Sequence, residues 1–210
     1  MNDRFEVMWT GKCNTGHYPF AYDIDDDGKD EVAVGYSMFD DDGTKLWSLD
    51  DKINDHADGV AVARFKKGAE PTIFYAASDA GAFYTDLEGN VLKRHFFGHV
   101  QNPAVANLRD DLPGLEIVSI NFWGNQGIIN YFDSDGDLYY DFEPVQHGSM
   151  CLPVNWTGGS EEFFVLSPDV TEGGMYDGRG RRAVKFSADG HPYECNAVLD
   201  VTGDCRDEVV

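Results

Sequence analysis

Five histidines recur at one place in a repeating unit: His17, His56, His99, His147 and His191, spaced 39, 43, 48 and 44 residues apart. The sixth, His95, stands outside the series. Imidazole exchanges a proton near neutral pH and ligates transition metals. A set of them at one depth of a radial fold suits acid–base chemistry or a transition metal. Hydrogen-bonding caps at the starts of strands are the structural alternative. Two residues on, the same register carries Asp58, Gln101, Ser149 and Tyr193, all polar. The segment Asn121-Phe-Trp123-Gly-Asn125-Gln-Gly127 sets an indole beside amides. Such a loop suits a sugar, the ring stacking on its apolar face and the amides bonding its hydroxyls. A packed loop tryptophan is the competing explanation.

A second constellation is made of hard oxygen donors. Asp23-Ile-Asp25-Asp-Asp27-Gly28-Lys29-Asp-Glu31 places carboxylates at positions 1, 3, 5 and 9. That alternation wraps oxygen around Ca²⁺, with Gly28 for the sharp turn and the Lys29 carbonyl as a further ligand. The alternative is a solvated acidic turn. Asp200-Val-Thr202-Gly-Asp204-Cys-Arg-Asp-Glu208 is a weaker copy, and the corresponding turns RFKKGAEP, NLRDDLPGLE and NWTGGSEE lack the ligand set.

What must position these residues is legible from a second marker. Asp-x-x-Gly recurs at Asp40/Gly43, Asp86/Gly89, Asp133/Gly136 and Asp177/Gly180, with the glycines 46, 47 and 44 apart. Two markers out of phase at one period, of about 45 residues, fit the blade of a β-propeller. Each unit divides into four short strands. The first starts at the histidine, the second follows a polar turn, and the third and fourth flank the Asp-x-x-Gly hairpin, where glycine supplies positive φ. The expected fold is therefore all-β: a single partial propeller domain over residues 1–210, built from four-stranded antiparallel blades. Four repeats fill residues 17–190 and a fifth stops in its second strand, so about four and a half blades are present. Propellers close with about four to eight blades, so the chain reads as part of a ring of roughly seven or eight. The histidines and the loops between second and third strands fall on one face, and the acidic turns fall on the other.

Composition narrows the partners. The net charge is −22, from 38 acidic and 16 basic residues, which argues against nucleic acid and anionic membrane surfaces. Four cysteines form no Cys-x-x-Cys pair and no dense disulfide framework. The N-terminal MNDRFEVMWTGK has no apolar core of a signal peptide. If Met1 is the start, a cytoplasmic location is expected, with secretion left open.

The stretches AYDIDDDGKDEVAVGYSMFDDDGTKLW, DHADGVAVARF and NLRDDLPGLEIV resemble the propellers of rhamnogalacturonan lyases. Those combine Asp-rich turns, a hydrophobic strand, an Asp-Gly hairpin and a histidine at the blade start. Rhamnose–glucuronate lyases of plant-gum breakdown are similar in architecture. The resemblance implies β-elimination at a uronic acid next to rhamnose, on an acidic plant-type polysaccharide or oligosaccharide, with structural Ca²⁺. The blade start His56-Ala-Asp58-Gly departs from the pattern, which expects a second histidine a few residues on. On this reading His56, His99 and His147 are the catalytic candidates, with Tyr18 as proton donor to the leaving oxygen. His17, His191, Gln101, Asn121, Trp123 and Asn125 would bind sugar. Asp23, Asp25, Asp27, Lys29 and Glu31 would hold Ca²⁺, and the axial histidines are a place for a second metal. The competing reading is a non-catalytic, Ca²⁺-loaded FG-GAP-like propeller that binds carbohydrate or protein. A third is a hydrolase or isomerase using a histidine-bound metal.

Overall fold

The computed structural model describes residues 5–121, 127–143, 151–166, 171, 173–187 and 197–210. Among them there is no helix, and so none that could cross a membrane. Four sheets follow one another along the chain. The first holds β1 (Phe20–Tyr22), β2 (Glu31–Val34), β3 (Ser37–Phe39) and β4 (Lys45–Ser48). The second holds β5 (Gly59–Ala63), β6 (Thr72–Ala76), β7 (Ala82–Thr85) and β8 (Val91–His95). The third holds β9 (Val100–Ala106), β10 (Glu116–Asn121), β11 (Ile128–Phe132) and β12 (Leu138–Phe142). The fourth holds β13 (Cys151–Val154), β14 (Phe163–Leu166), β15 (Gly174–Tyr176) and β16 (Arg182–Val184), and a hairpin of β17 (Val198–Leu199) and β18 (Glu208–Val209) follows. Each sheet is antiparallel with its strands in sequence order.

The apolar runs of the central strands have a simple cause. Side chains alternate between the two faces of a strand, and here both faces are covered. In β6, Ile73 and Tyr75 pack with Tyr36 and Met38 of the first sheet, while Phe74 and Ala76 pack with Ile117 and Phe132 of the third. Between the third and fourth sheets Ile120 and Tyr131 meet Phe164 and Tyr176. The fourth sheet meets the last hairpin through Val165, Met175, Val198 and Val209. A hydrophobic layer thus lies between every successive pair. The first strands of neighbouring sheets also touch: β1 with β5, β5 with β9, β9 with β13, and β13 with β17. The fourth strands are the wet ones, with exposed Leu46, Val91, Leu92 and Leu138.

The Asp-x-x-Gly hairpins are equivalent in all four sheets. Gly43, Gly89, Gly136 and Gly180 donate backbone N–H to the carbonyls of Asp40, Asp86, Asp133 and Asp177. Each glycine has positive φ, between 72° and 88°. Beside each hairpin the pairing shifts by one residue: opposite Met38/Phe39, Tyr84/Thr85, Tyr131/Phe132 and Met175/Tyr176 of the third strand, one residue of the fourth is skipped.

A clasp between sheets accompanies each hairpin. Trp47 Nε1–H donates to the Leu87 carbonyl (2.6 Å), His95 Nε2 to Gly136 (2.9 Å) and the Tyr139 hydroxyl to Gly178 (3.0 Å). Trp9 does the same for the first hairpin through the Asp41 carbonyl (2.9 Å). The odd histidine, His95, is therefore a clasp on an outer strand. One detail differs from expectation. The repeat histidines within the described residues precede their strands, because β1, β5 and β9 begin at Phe20, Gly59 and Val100. Side-chain and backbone bonds made in those turns take the residues out of the ladder.

Candidate active site

The turns before β1 and β5 are joined directly. His17 N–H donates to the Ala57 carbonyl (2.9 Å). Gly16 lies so close that a Cβ there would sit 2.4 Å from the same oxygen, at a φ of +60°, so only glycine fits. The His17 and His56 rings are consequently 4.9 Å apart between centroids. The turn before β9 is tied to the loop between β6 and β7: Val100 N–H donates to the Ser78 carbonyl (3.0 Å). This places the second-to-third-strand loop on the histidine face, as the topology requires.

Asp58 is the centre of the cluster. Its side chain is only 1% exposed, and its oxygens lie 3.1 Å from His56 Nε2, 3.4 Å from His17 Nδ1 and 3.0 Å from His99 Nε2. Neither oxygen has a hydrogen-bond partner of acceptable alignment among the described residues. Two further carboxylates hold the imidazoles from behind. Asp55 Oδ1 lies 2.8 Å from His56 Nδ1, and Asp79 Oδ1 lies 2.7 Å from His99 Nδ1. The Ser78 hydroxyl stands 3.1 Å from His99 Nε2. Asp55 also accepts from the backbone N–H groups of His56 (2.8 Å) and Asp79 (3.1 Å). Burial pushes the Asp55 carboxyl up, but these bonds and the His56 imidazole outweigh it and hold its pKa below the ordinary value. Beneath the cluster Tyr36 is fully buried, its hydroxyl driven upward by burial first and then by Asp55 and Asp58.

The other sequence candidates fall as follows. Tyr18 is 64% exposed, its ring 6.2 Å from that of His17. Gln101 is half-buried on β9, opposite Ile120. Asn121 is buried, and its amide donates to the Phe97 carbonyl. His147, His191, Trp123 and Asn125 lie outside the described residues. Asp58 had been noted only as a polar neighbour of His56. Asp55, Ser78 and Asp79 were missed, and the short Asp55-His56-x-Asp58 spacing was the one signal for two of these carboxylates.

At the opposite end of β1, carboxylate oxygens of Asp23, Asp25 and Asp27 lie within 4.8 Å of one another. Gly28 has φ +89° and donates N–H to Asp23 Oδ2 (2.9 Å), and Asp27 N–H meets Asp23 and Asp25 (both 3.1 Å). The Lys29 ammonium pairs with Asp41 (2.8 Å) and lies 3.8 Å from Asp27. Glu31 is buried and accepts from Ile24 N–H (2.8 Å), and burial raises its carboxyl. Glu208 repeats that bond with Val201 N–H (2.8 Å), and Glu116 with Leu108 N–H (2.8 Å). In the third sheet the turn pairs its acid with its own cation, the Arg109 guanidinium bonding Asp111 (3.0 Å), whereas in the first turn the cations Lys29 and Arg64 reach Asp27 (3.8 Å) and Asp26 (2.9 Å) from its rim.

No protein-family model matches the sequence, and no curated protein is similar to it. Among solved structures, the chain is similar to the exotype rhamnogalacturonan lyase YesX, at 24% identity and a TM-score of 0.58, over 75% of this chain and 26% of that one. A rhamnogalacturonan lyase of Bacillus licheniformis is 17% identical with a TM-score of 0.57, over 91% of this chain and 32% of that one. The V. cholerae biofilm matrix protein Bap1 is 11% identical with a TM-score of 0.63, over 89% of this chain and 58% of that one. The chain thus spans between a quarter and a third of the two lyases' length. At these identities what is shared is the fold.

Proposed function

We propose that this chain is part of a β-propeller polysaccharide lyase that cleaves a rhamnose–uronate glycan by β-elimination. Touching first strands, hydrophobic layers between all successive sheets and four hairpins closed by the same Gly-to-Asp backbone bond support the propeller. The likeness to two rhamnogalacturonan lyases supports the substrate class. The observation that carries the chemistry is the convergence of His17, His56 and His99 on buried Asp58.

Elimination needs a base for the proton next to the uronate carboxylate, a counter-charge for that carboxylate, and a proton for the leaving oxygen. His99, oriented by Asp79, takes the proton. The electron pair of the broken C–H bond becomes the new C=C bond, and the glycosidic C–O bond breaks. Exposed Tyr18 gives its proton to the departing oxygen. The substrate carboxylate would be met at the His17–His56–Asp58 cluster, where an acidic protein must supply positive charge locally to hold an anion. Gln101 lies on the strand that follows His99 and would contact sugar, as would His147, His191, Trp123 and Asn125.

The Asp23–Glu31 turn suits Ca²⁺: three carboxylates converge, and the Lys29 carbonyl and Glu31 would complete the set. Bound there, Ca²⁺ would neutralise the turn and fix the far end of β1, away from the histidines. The test is direct. Purified chain mixed with rhamnogalacturonan should generate the ultraviolet absorbance of an unsaturated uronate. Glycan binding without that absorbance would replace the lyase by a binding propeller.

A further inference from the structure

We propose that His17 Nδ1, His56 Nε2 and the Asp58 carboxylate hold one divalent transition-metal ion of the zinc class. The argument starts from an imbalance. Asp55 on His56 Nδ1 and Asp79 on His99 Nδ1 each require an N–H at that nitrogen. In the neutral ring the other nitrogen of His56, Nε2, then carries a lone pair, and it faces an Asp58 oxygen at 3.1 Å. Lone pairs of an imidazole and an ionised carboxylate repel at that distance unless something positive lies between them. The Asp58 side chain is 1% exposed and unpartnered in its hydrogen bonds among the described residues, so bulk water does not fill the need.

The spacing says what the positive species is. Donors on one tetrahedral ion, each about 2.0–2.1 Å from it, lie about 3.3–3.4 Å from each other. His56 Nε2 and His17 Nδ1 stand 3.1 Å and 3.4 Å from Asp58 Oδ1, and all three ligand atoms fall within 4.8 Å of one another. Two nitrogens and one carboxylate select a borderline-soft ion over Ca²⁺, which takes six or more oxygens. Asp55 completes a carboxylate–histidine–metal relay, the arrangement that fixes a ligating ring's tautomer. His17 and His56 are 55% and 40% exposed, so the ion keeps a side open to a substrate carboxylate. The inference rests on the site described above and leaves His99 as the base.

Chelator-stripped chain titrated with Co²⁺ should develop the visible absorbance of a nitrogen-ligated ion, saturating at one equivalent and displaced by Zn²⁺. His17→Gln, on an exposed side chain, and Asp58→Asn should abolish the band. Asp55→Asn should weaken binding by about 10–100-fold. The Asp23→Ala, Asp25→Ala double variant should leave the band unchanged. Absence of the band in folded wild type, or its persistence in both His17→Gln and Asp58→Asn, overturns the proposal. A chain that binds Co²⁺ but eliminates no uronate refutes the lyase reading alone. One that eliminates uronate with no metal bound refutes this inference alone.

Discussion

Glu116 offers a stability test that can be worked from the structure. It is fully buried at the start of β10, in the sheet whose first strand follows His99. Its Oε2 accepts from the N–H groups of Leu108 (2.8 Å) and Arg109 (3.1 Å), while Oε1 is buried without a partner among the described residues. Burial pushes its carboxyl up from an ordinary 4.5 to about 7, against the opposing pull of those N–H groups and the Arg109 charge. Between those values the folded state keeps a proton that the unfolded chain has released. The contribution is fully present below about pH 4.5 and is lost as pH rises to about 7. At 1.36 kcal/mol per pH unit this amounts to about 3 kcal/mol. For a domain of this size that is roughly 6–12 °C in Tm. Glu116→Gln keeps the shape and the acceptor but cannot titrate. Thermal unfolding of both proteins from pH 4 to 8 should show wild type losing that much relative to the variant as pH rises. Every other group is common to the two proteins and cancels in the difference. Parallel curves for the two proteins would refute the argument.

The remaining predictions are briefer. Replacing Asp23 and Asp25 together by alanine should abolish any rise of Tm with added Ca²⁺, since an ion bound only to the folded state stabilises it by mass action. A Ca²⁺ response equal to wild type in calorimetry would remove the ion from that turn. Gly89→Ala should destabilise by at least about 1 kcal/mol, read by denaturant melts, because its φ is +79° and the added Cβ would lie 2.8 Å from the Trp47 indole. The same reasoning applies to Gly43 against Trp9 (2.5 Å). His95→Ala should lower stability by about 1 kcal/mol through its lost bond to the Gly136 carbonyl, without touching turnover.

The repeat was legible because it rests on local chemistry. A hairpin that needs positive φ at one position writes glycine there four times, and a strand buried on both faces writes an unbroken apolar run such as TIFYA. The common face of His56, His99 and the 78–79 loop followed from topology alone. What was not legible depends on distances between sheets. Nothing in the spacing of Ser78 and Asp79 says that they meet His99, because that contact exists only once the second and third sheets are stacked. Asp58 reads in the sequence as a polar neighbour of His56, and its burial is what marks it as the centre of the cluster. Trp9 was unreadable for the same reason, since the segment around it forms no strand and its role is set by the hairpin it clasps. Asn121 read as a sugar-binding amide beside Trp123, whereas the carbonyl of Phe97 holds its amide and the residue is buried.

The central claim is that the histidines around Asp58 carry an elimination, and one assay addresses it. Wild type and His99→Ala would be followed by ultraviolet absorbance on rhamnogalacturonan, with circular dichroism to confirm equal folding. The account predicts that absorbance rises with wild type and that the variant is slower by a factor on the order of 10²–10⁴, the usual worth of a positioned base. Equal rates from the two folded proteins, or no absorbance from wild type on a glycan it demonstrably binds, would contradict it.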